Sequence, residues 1–328
     1  SGIALTVIVV LASGVLMNLL VRQVLRSHPG MDNPSYAAFD AQWQRLDSLE
    51  EELDTLLLGD SSGRHGLNPE EFDRVTGGRS LNFCTMGNAA VINAAWQLEA
   101  YLRRWPAPQR VLLTIVHDVW PRTLSPQLAG RVPMEWGFWN DLRAKEPYSR
   151  GDRWTIFENR YLPLMSQHKT LSELALYPWT IGERRIEFNR SGFGPIWRPR
   201  PENVADDRYW QIKALANQTW AASDQSRRSL AAMMSLAEEH GFDIYVALSP
   251  MNRELYEDEG FQQYYASYLD GLRRLIGDSP RAHLLSDAPA LYDDGEMQNT
   301  DHIVRDMTTG YSRLVAEQVL QVESRARR

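Results

Sequence analysis

The chain has 328 residues, 43% of them hydrophobic and 23% charged, with a formal net charge of -7. This is an ordinary globular composition with room for one large domain or two modest ones, and its acidic balance argues against a nucleic-acid binder, which needs clustered Lys and Arg. A single cysteine, Cys84, excludes an intrachain disulfide framework.

Residues 2–21 read GIALTVIVVLASGVLMNLLV, without a charge, and Arg22 and Arg26 follow directly. About 20 apolar residues span a hydrocarbon core. A cleaved signal peptide has a shorter apolar region, and a core helix at a protein surface would keep a polar face. Residues 1–22 are therefore expected to be an uncleaved transmembrane anchor that meets the lipid bilayer through residues 2–21. Arg22 and Arg26 pull the segment after them toward the cytoplasm under the positive-inside rule, and basic residues before Ser1 would pull the other way.

Residues 23–53 follow as a neck and a leading helix. The neck, SHPGMDNP over 27–34, is rich in turn formers. The helix, over 37–53, has Phe39, Trp43, Leu46 and Leu49 at three- and four-residue spacing. A first strand over 54–58 runs into Gly59-Asp60-Ser61-Ser62-Gly63, and a short second strand covers 80–83. A helix over 88–104 carries Ile92, Trp96 and Leu102, and 110–116 is a buried third strand by its continuous apolar character. Residues from about 120 to 223 are rich in Trp, Pro and Arg and contain no clear strand. A helix over 224–240 then stops at Gly241, and a fourth strand over 242–248 ends at Ser249-Pro250. A helix over 260–276 stops at Gly277, a fifth strand covers 282–285, and a helix over 308–323 closes the chain. Alternating strands and helices imply right-handed crossovers and an α/β fold with a parallel sheet covered on both faces. Residues 54–328 are expected to form this domain, with about 120–223 as a large insertion after the third strand.

The chemistry centres on Ser61, in a tight turn at the carboxyl edge of the sheet, where open α/β folds bind ligands. A serine nucleophile needs a base and oxyanion donors. Asn299-Thr300-Asp301-His302, just before the last helix, offers a histidine as the base. Gly87 follows the second strand, and Ile115-Val116-His117-Asp118 forms the tip of the third.

In this order the blocks resemble the SGNH/GDSL hydrolase superfamily. The resemblance covers roughly 54–119 and 242–322. It implies a three-layer α/β/α, flavodoxin-like sheet, with Ser61 as nucleophile and His302 as base. It also implies that the amides of Ser61 and Gly87 serve as oxyanion donors. Two positions depart from the pattern. His117 stands where the family has its oxyanion asparagine, and Asn299 stands at the acidic position of Asp-x-x-His, with Asp301 directly before the histidine. Either Asp301 or Asn299 orients His302, or Ser61 and His302 act as a dyad, or the enzyme is impaired; Asp60 is a further candidate for an orienting role.

Together with the anchor, the pattern resembles membrane-anchored bacterial SGNH proteins of the alginate O-acetyltransferase and teichoic acid D-alanylation type. These work outside the cytoplasmic membrane with a membrane-embedded O-acyltransferase. The resemblance implies a periplasmic catalytic domain, a polysaccharide or other envelope polymer as substrate, and acyl transfer or ester hydrolysis through an acyl-enzyme. The competing reading is a catalytically impaired accessory subunit. No cofactor is implied, no cluster has zinc-ligand spacing, and Gly59 to Gly66 lacks the Lys-Ser/Thr of a phosphate-binding loop.

Plainer readings stand beside these. The Gly59–Gly63 turn could be a helix start capped through a serine, His117-Asp118 a surface pair and His65 a loop residue. The 11 tryptophans suit sugar stacking, a membrane interface or core packing. Arg184-Arg185 and Arg198-Pro199-Arg200 suit anionic groups or a solvated face.

Overall fold

The computed structural model describes residues 2–27, 34–133, 148–176 and 188–326. Residues 28–33 of the expected neck and Arg184-Arg185 lie outside them. The first helices are α1 (Gly2–Ser27), α2 (Pro34–Asp47), α3 (Ser61–Gly66), α4 (Pro69–Thr76), α5 (Ala90–Leu102), α6 (Pro126–Arg131) and α7 (Arg150–Tyr161). After these come α8 (Pro163–Ser166), α9 (His168–Leu176), α10 (Pro201–Leu215), α11 (Asp224–His240), α12 (Arg253–Glu257), α13 (Glu259–Ile276) and α14 (Arg305–Ala326). The strands are β1 (Thr55–Gly59), β2 (Ser80–Asn82), β3 (Arg110–Thr114), β4 (Asp243–Ala247), β5 (Met251–Asn252), β6 (Ala282–Leu284) and β7 (Leu291–Tyr292).

The chain divides into two compact units, Ser1–Trp43 with Ser125–Ile186, and Gln44–Leu124 with Glu187–Arg328. The stretch expected as one insertion is thus shared. Residues 125–186 belong to the first unit, and 187–223, including α10, belong to the unit that holds the sheet.

In the first unit, Gly2–Val24 of α1 has a mean hydropathy of 2.5, and no residue of its most apolar 18-residue stretch is buried. It is long and apolar enough to cross a membrane, as an anchor or a signal segment would be. Its polar side chains bond to their own helix: Thr6 Oγ1 donates to the Gly2 carbonyl and Asn18 Nδ2 to the Gly14 carbonyl at 2.9 Å. Ala37, Ala38, Phe39 and Trp43 of α2 are buried, as are Leu128, Ala129 and Ile156. Arg131 of α6 grips the Asp40 carboxylate with two bonds, of 3.1 and 2.6 Å. The start of α7 is fixed by a reciprocal cap between Ser149 and Asp152.

The second unit is built on a parallel sheet ordered β2-β1-β3-β4-β6. Every residue of β1 and β3 is buried, which explains their apolar centres, Leu56 to Leu58 and Val111 to Leu113. Side chains alternate between the faces. Leu57, Leu112 and Tyr245 join Phe72 of α4 and Tyr311, Val315 and Val319 of α14 in one core cluster. Leu56, Leu58, Val111, Leu113, Ile244 and Val246 alternate with them and are buried too. The helix α11 is capped at one end by Ser223, whose side chain accepts from the Ser226 amide, and ends at Gly241 in the left-handed conformation.

This strand order has its switch point between β1 and β3, whose outgoing connections run to opposite sides of the sheet, the place where open α/β folds bind ligands at the carboxyl ends. The Gly59-Asp60-Ser61 turn lies on one side of it and the tip of β3 on the other. Gly59 is needed for this arrangement. Its φ is +146°, and a Cβ there would land on the Thr114 carbonyl of the neighbouring strand. Gly59→Ala is therefore expected to destabilise the fold by about 3 kcal/mol, read as a fall in the denaturant midpoint at unchanged m-value; a midpoint equal to the parent's would contradict it.

Candidate active site

Asp60 caps α3 and ties the turn to the rest of the sheet. Its Oδ1 accepts from the Ser62 amide at 2.8 Å and from Ser62 Oγ at 2.7 Å, and its Oδ2 accepts from the Val116 amide at 2.8 Å. The carboxylate thus crosses the switch point between β1 and β3. Burial raises its pKa, and the three donors oppose that shift. Its bonds orient the serine turn, and none of them reaches an imidazole.

The two serines of the turn have different surroundings. Ser62 is fully buried, and its Oγ also pairs with Ser249 Oγ at 2.8 Å. Ser61 is only half-buried at the first position of α3, so its hydroxyl is the one a substrate can reach.

His302 is held by a short closed loop. An antiparallel bridge joins Met297 to Ile303, the Gln298 amide donates to the His302 carbonyl at 2.8 Å, and the Asn252 amide of β5 donates to the Thr300 carbonyl at 2.8 Å. Its Nδ1 lies 2.6 Å from Asn299 Oδ1. An amide oxygen only accepts, so Nδ1 carries the proton and Nε2 carries the lone pair. Nε2 is buried and has no hydrogen-bond partner among the described residues. Burial lowers the pKa of His302, which keeps the ring neutral and the Nε2 lone pair free, although it makes Nε2 a weaker base than an exposed histidine.

Asp301 Oδ1 is also near this ring, 3.3 Å from Nδ1. Burial, reinforced by the carboxylates of Asp118 and Asp207, pushes the Asp301 pKa up to about 8. Near neutral pH this side chain is uncharged.

The ring of His302 meets that of His65 edge to face, with centroids 5.2 Å apart. His65, expected in a loop, is on α3 one turn after Ser61, so the two share a helix face. This brings the base to the helix that starts with the serine, and among the described residues no hydrogen bond joins His302 Nε2 to Ser61. His65 itself has no free nitrogen. Its Nδ1 donates to the Gly194 carbonyl, and its Nε2 accepts from Arg64 Nη2 at 2.8 Å. Burial and the adjacent Arg64 guanidinium hold its pKa well below the usual histidine value.

Gly87 opens a short 3-10 turn. Two residues earlier the Thr85 amide donates to the Gly59 carbonyl at 2.9 Å, so this loop is anchored at the end of β1. A Cβ at Gly87 would lie 3.0 Å from Val119 and 3.2 Å from Arg122, which leaves little room for a side chain.

His117 differs from the expectation. Its Nε2 lies 3.2 Å from Gln211 Oε1 and donates to it. Phe261, Tyr264, Tyr265 and Tyr268 surround the ring, and burial lowers its pKa. A neutral imidazole has one N–H, so in this geometry His117 has none left for an oxyanion. Its carbonyl accepts from Trp220 Nε1 at 2.8 Å, which makes it a packing centre.

Several residues of the site had not been singled out from sequence. Gln211 and Asp207, one turn apart on α10, connect His117 to the histidine loop: Gln211 Nε2 donates to Thr300 Oγ1 at 2.5 Å, and the Thr300 amide donates to Asp207 Oδ2 at 3.1 Å. The start of α10 was legible as Pro201-Glu202, a proline and an acid in the first turn. No group of His, Cys, Asp or Glu among the described residues could hold a metal ion.

Among the described tryptophans, Trp43, Trp96, Trp120 and Trp220 are buried, Trp105 is half-buried, and Trp154, Trp197 and Trp210 are exposed. Arg305 lies over Trp197 at 4.4 Å and Lys213 over Trp210 at 4.7 Å.

No family model matches the chain. No curated protein matches it. Among solved structures, a chain from Streptococcus pneumonia, provisionally described as a platelet activating factor, is similar at 10% identity and a TM-score of 0.39, over 94% of this chain and 98% of that one. A likeness this distant has no bearing on the chemistry, which is read from the geometry above.

Proposed function

We propose that the protein is a serine-dependent acyl esterase or O-acyltransferase with Ser61 as nucleophile and His302 as general base. The observation that carries this reading is the state of His302. Asn299 fixes its tautomer, its Nε2 lone pair is unpartnered among the described residues, and its ring packs edge to face on His65, one turn after Ser61. In the proposed reaction Nε2 takes the hydroxyl proton as Ser61 Oγ attacks an acyl ester. The amides of Ser61 and Gly87 hold the oxyanion. The imidazolium then returns the proton to the departing alcohol, and water or a sugar hydroxyl resolves the acyl-enzyme. Asn299 orients the ring, and the uncharged Asp301 adds no countercharge. The substrate class proposed is an O-acylated envelope polysaccharide, with transfer of acetyl supported by a membrane-embedded O-acyltransferase partner. The protein would be held by α1 in a bacterial cytoplasmic membrane with its catalytic unit in the periplasm.

One observation favours the second reading, an impaired accessory subunit: the commitment of His117 to Gln211 removes a side-chain oxyanion donor. Losing such a donor typically costs about 3 kcal/mol of barrier. Labelling of the full-length protein with a fluorophosphonate, followed by peptide mapping, separates the two. An adduct on Ser61 is expected. No adduct, together with unchanged polymer acylation in Ser61→Ala, would establish the accessory role.

The pH dependence follows from the burial of His302. Its pKa is lowered, so the base stays unprotonated in acid where an ordinary histidine, of pKa about 6.5, is protonated. The acid limb of kcat/KM against pH is expected below 6.5, and a limb at or above that value would show a base in a different environment. The unfolded chain binds this proton more readily than the native one, so His302 contributes a loss of stability as pH falls below about 6.5.

A further inference from the structure

We infer that one face of α7 lies in the lipid–water interface beside α1, so that the first unit is seated on the membrane as well as tethered to it. The inference rests on the proposed membrane-spanning role of α1. Trp154, Phe157 and Tyr161 follow one another at three- and four-residue spacing on α7, and all three are exposed, as is Met165 of α8. Their rings form a continuous row, with centroids 5.5 Å apart between Trp154 and Phe157 and 5.2 Å between Phe157 and Tyr161. The other side of the helix is already used. Ile156 is buried, and α6 approaches so closely that a Cβ at Gly130 would lie 2.7 Å from the Ile156 carbonyl.

What sets the level of this row is its link to α1. The Leu164 amide of α8, just after Tyr161, donates to Asn18 Oδ1 at 3.0 Å, while Asn18 Nδ2 donates within α1 to Gly14. Both ends of the Asn18 amide are thereby satisfied, as a site without water requires. Val21, one turn further along, is buried. The uncharged run of α1 ends at Val21, three residues beyond Asn18. At 1.5 Å per residue the junction lies about 5 Å inside the end of that run. If α1 fills a hydrocarbon core, α8 and the end of α7 are at its edge, where Trp and Tyr are favoured and where an apolar row next to a polar body is expected to rest. Arg160 lies over the Tyr161 ring at 5.7 Å and donates from Nη1 to the Val132 carbonyl at 2.8 Å, which ties the end of this row to the body of the unit. The occupant of this face is therefore the bilayer itself.

Nitroxide labels on single introduced cysteines, in the full chain reconstituted into phosphatidylethanolamine–phosphatidylglycerol vesicles, test this by collision with oxygen and with a water-soluble nickel chelate. The native Cys84 is buried and can stay. Leu11→Cys reports on α1, Glu239→Cys on an exposed position of the other unit, and Phe157→Cys and Met165→Cys on the proposed face. Oxygen is expected to outweigh nickel at 11, 157 and 165, and nickel to outweigh oxygen at 239. Nickel-accessible labels at 157 and 165 with a lipid-exposed label at 11 would overturn the inference and leave the anchor standing. Labels at 157 and 165 shielded from both reagents would overturn it in favour of a protein partner. A nickel-accessible label at 11 would instead remove the anchor reading, and the inference with it. The two face positions back each other up if one variant fails to fold.

Discussion

Ser61→Ala is expected to lower kcat/KM toward an activated acetyl ester by about 10⁴-fold or more, with thermal stability close to that of the parent, because removing the nucleophile of a Ser–His pair leaves only binding and oxyanion stabilisation. The half-exposed Ser61 side chain caps nothing, so its loss has little structural consequence. The control is its neighbour. Ser62→Ala removes Oγ bonds to Asp60 and Ser249 in a buried site, so it should cost stability, about 1–3 kcal/mol. His302→Ala should fall to the same residual activity as Ser61→Ala, and the double variant should fall no further, since the pair acts as a unit. Hydrolysis measured with the three variants decides the matter. Parent-like turnover in Ser61→Ala would exclude it as nucleophile, and additive losses would mean that Ser61 and His302 work separately.

Asn299 is expected to matter far more than Asp301, although both side chains face Nδ1 of the base. Asn299 Oδ1 accepts the Nδ1 proton at 2.6 Å and so leaves the lone pair on Nε2. Asn299→Ala removes the acceptor that selects this tautomer, and kcat should fall by about 10³-fold, in the range seen when a base loses its orienting partner. Asp301 carries its own proton until about pH 8, so Asp301→Asn preserves its shape and charge at neutral pH, and kcat should stay within about threefold of the parent's. Asn299→Asp is informative in another way. A carboxylate at this distance favours the imidazolium, so the acid limb of kcat/KM should move to higher pH. These three profiles, measured together, distinguish an amide-oriented base from an acid-oriented one. A large loss in Asp301→Asn with little effect in Asn299→Ala would reverse the assignment.

Asp301 also has a consequence for stability. Its pKa is raised on folding, so between pH 4 and 8 the native protein binds a proton that the unfolded chain releases. Native stability from this group is largest in acid and is lost as pH rises toward 8, the opposite direction to the contribution of His302.

Much of the architecture was legible in the sequence because buried parallel strands leave continuous apolar runs and helices leave stops. The runs over 54–58 and 110–116 became β1 and β3, and Gly241 and Gly277 end their helices as expected. Other elements gave too little signal. The β5–β7 pair has two residues per strand, below any detectable alternation. The helix α10 mixes polar and apolar residues and buries only Val204 fully, so its periodicity is hidden in a stretch rich in Trp, Pro and Arg.

For the site, the sequence by itself determined the parts: a serine after an apolar strand, a glycine after the next, and a histidine before the last helix, in an order that repeats a known arrangement. Only the tertiary structure decided their chemistry. Whether His302 is a base depends on which of its nitrogens holds the proton, and that is set by Asn299. Whether Asp301 is charged depends on burial and on Asp118 and Asp207, which are distant in sequence. His117 is bonded to a side chain of α10, 94 residues away. Residue type and order follow from local chain chemistry, whereas protonation and hydrogen-bond commitment follow from which groups the fold removes from water together.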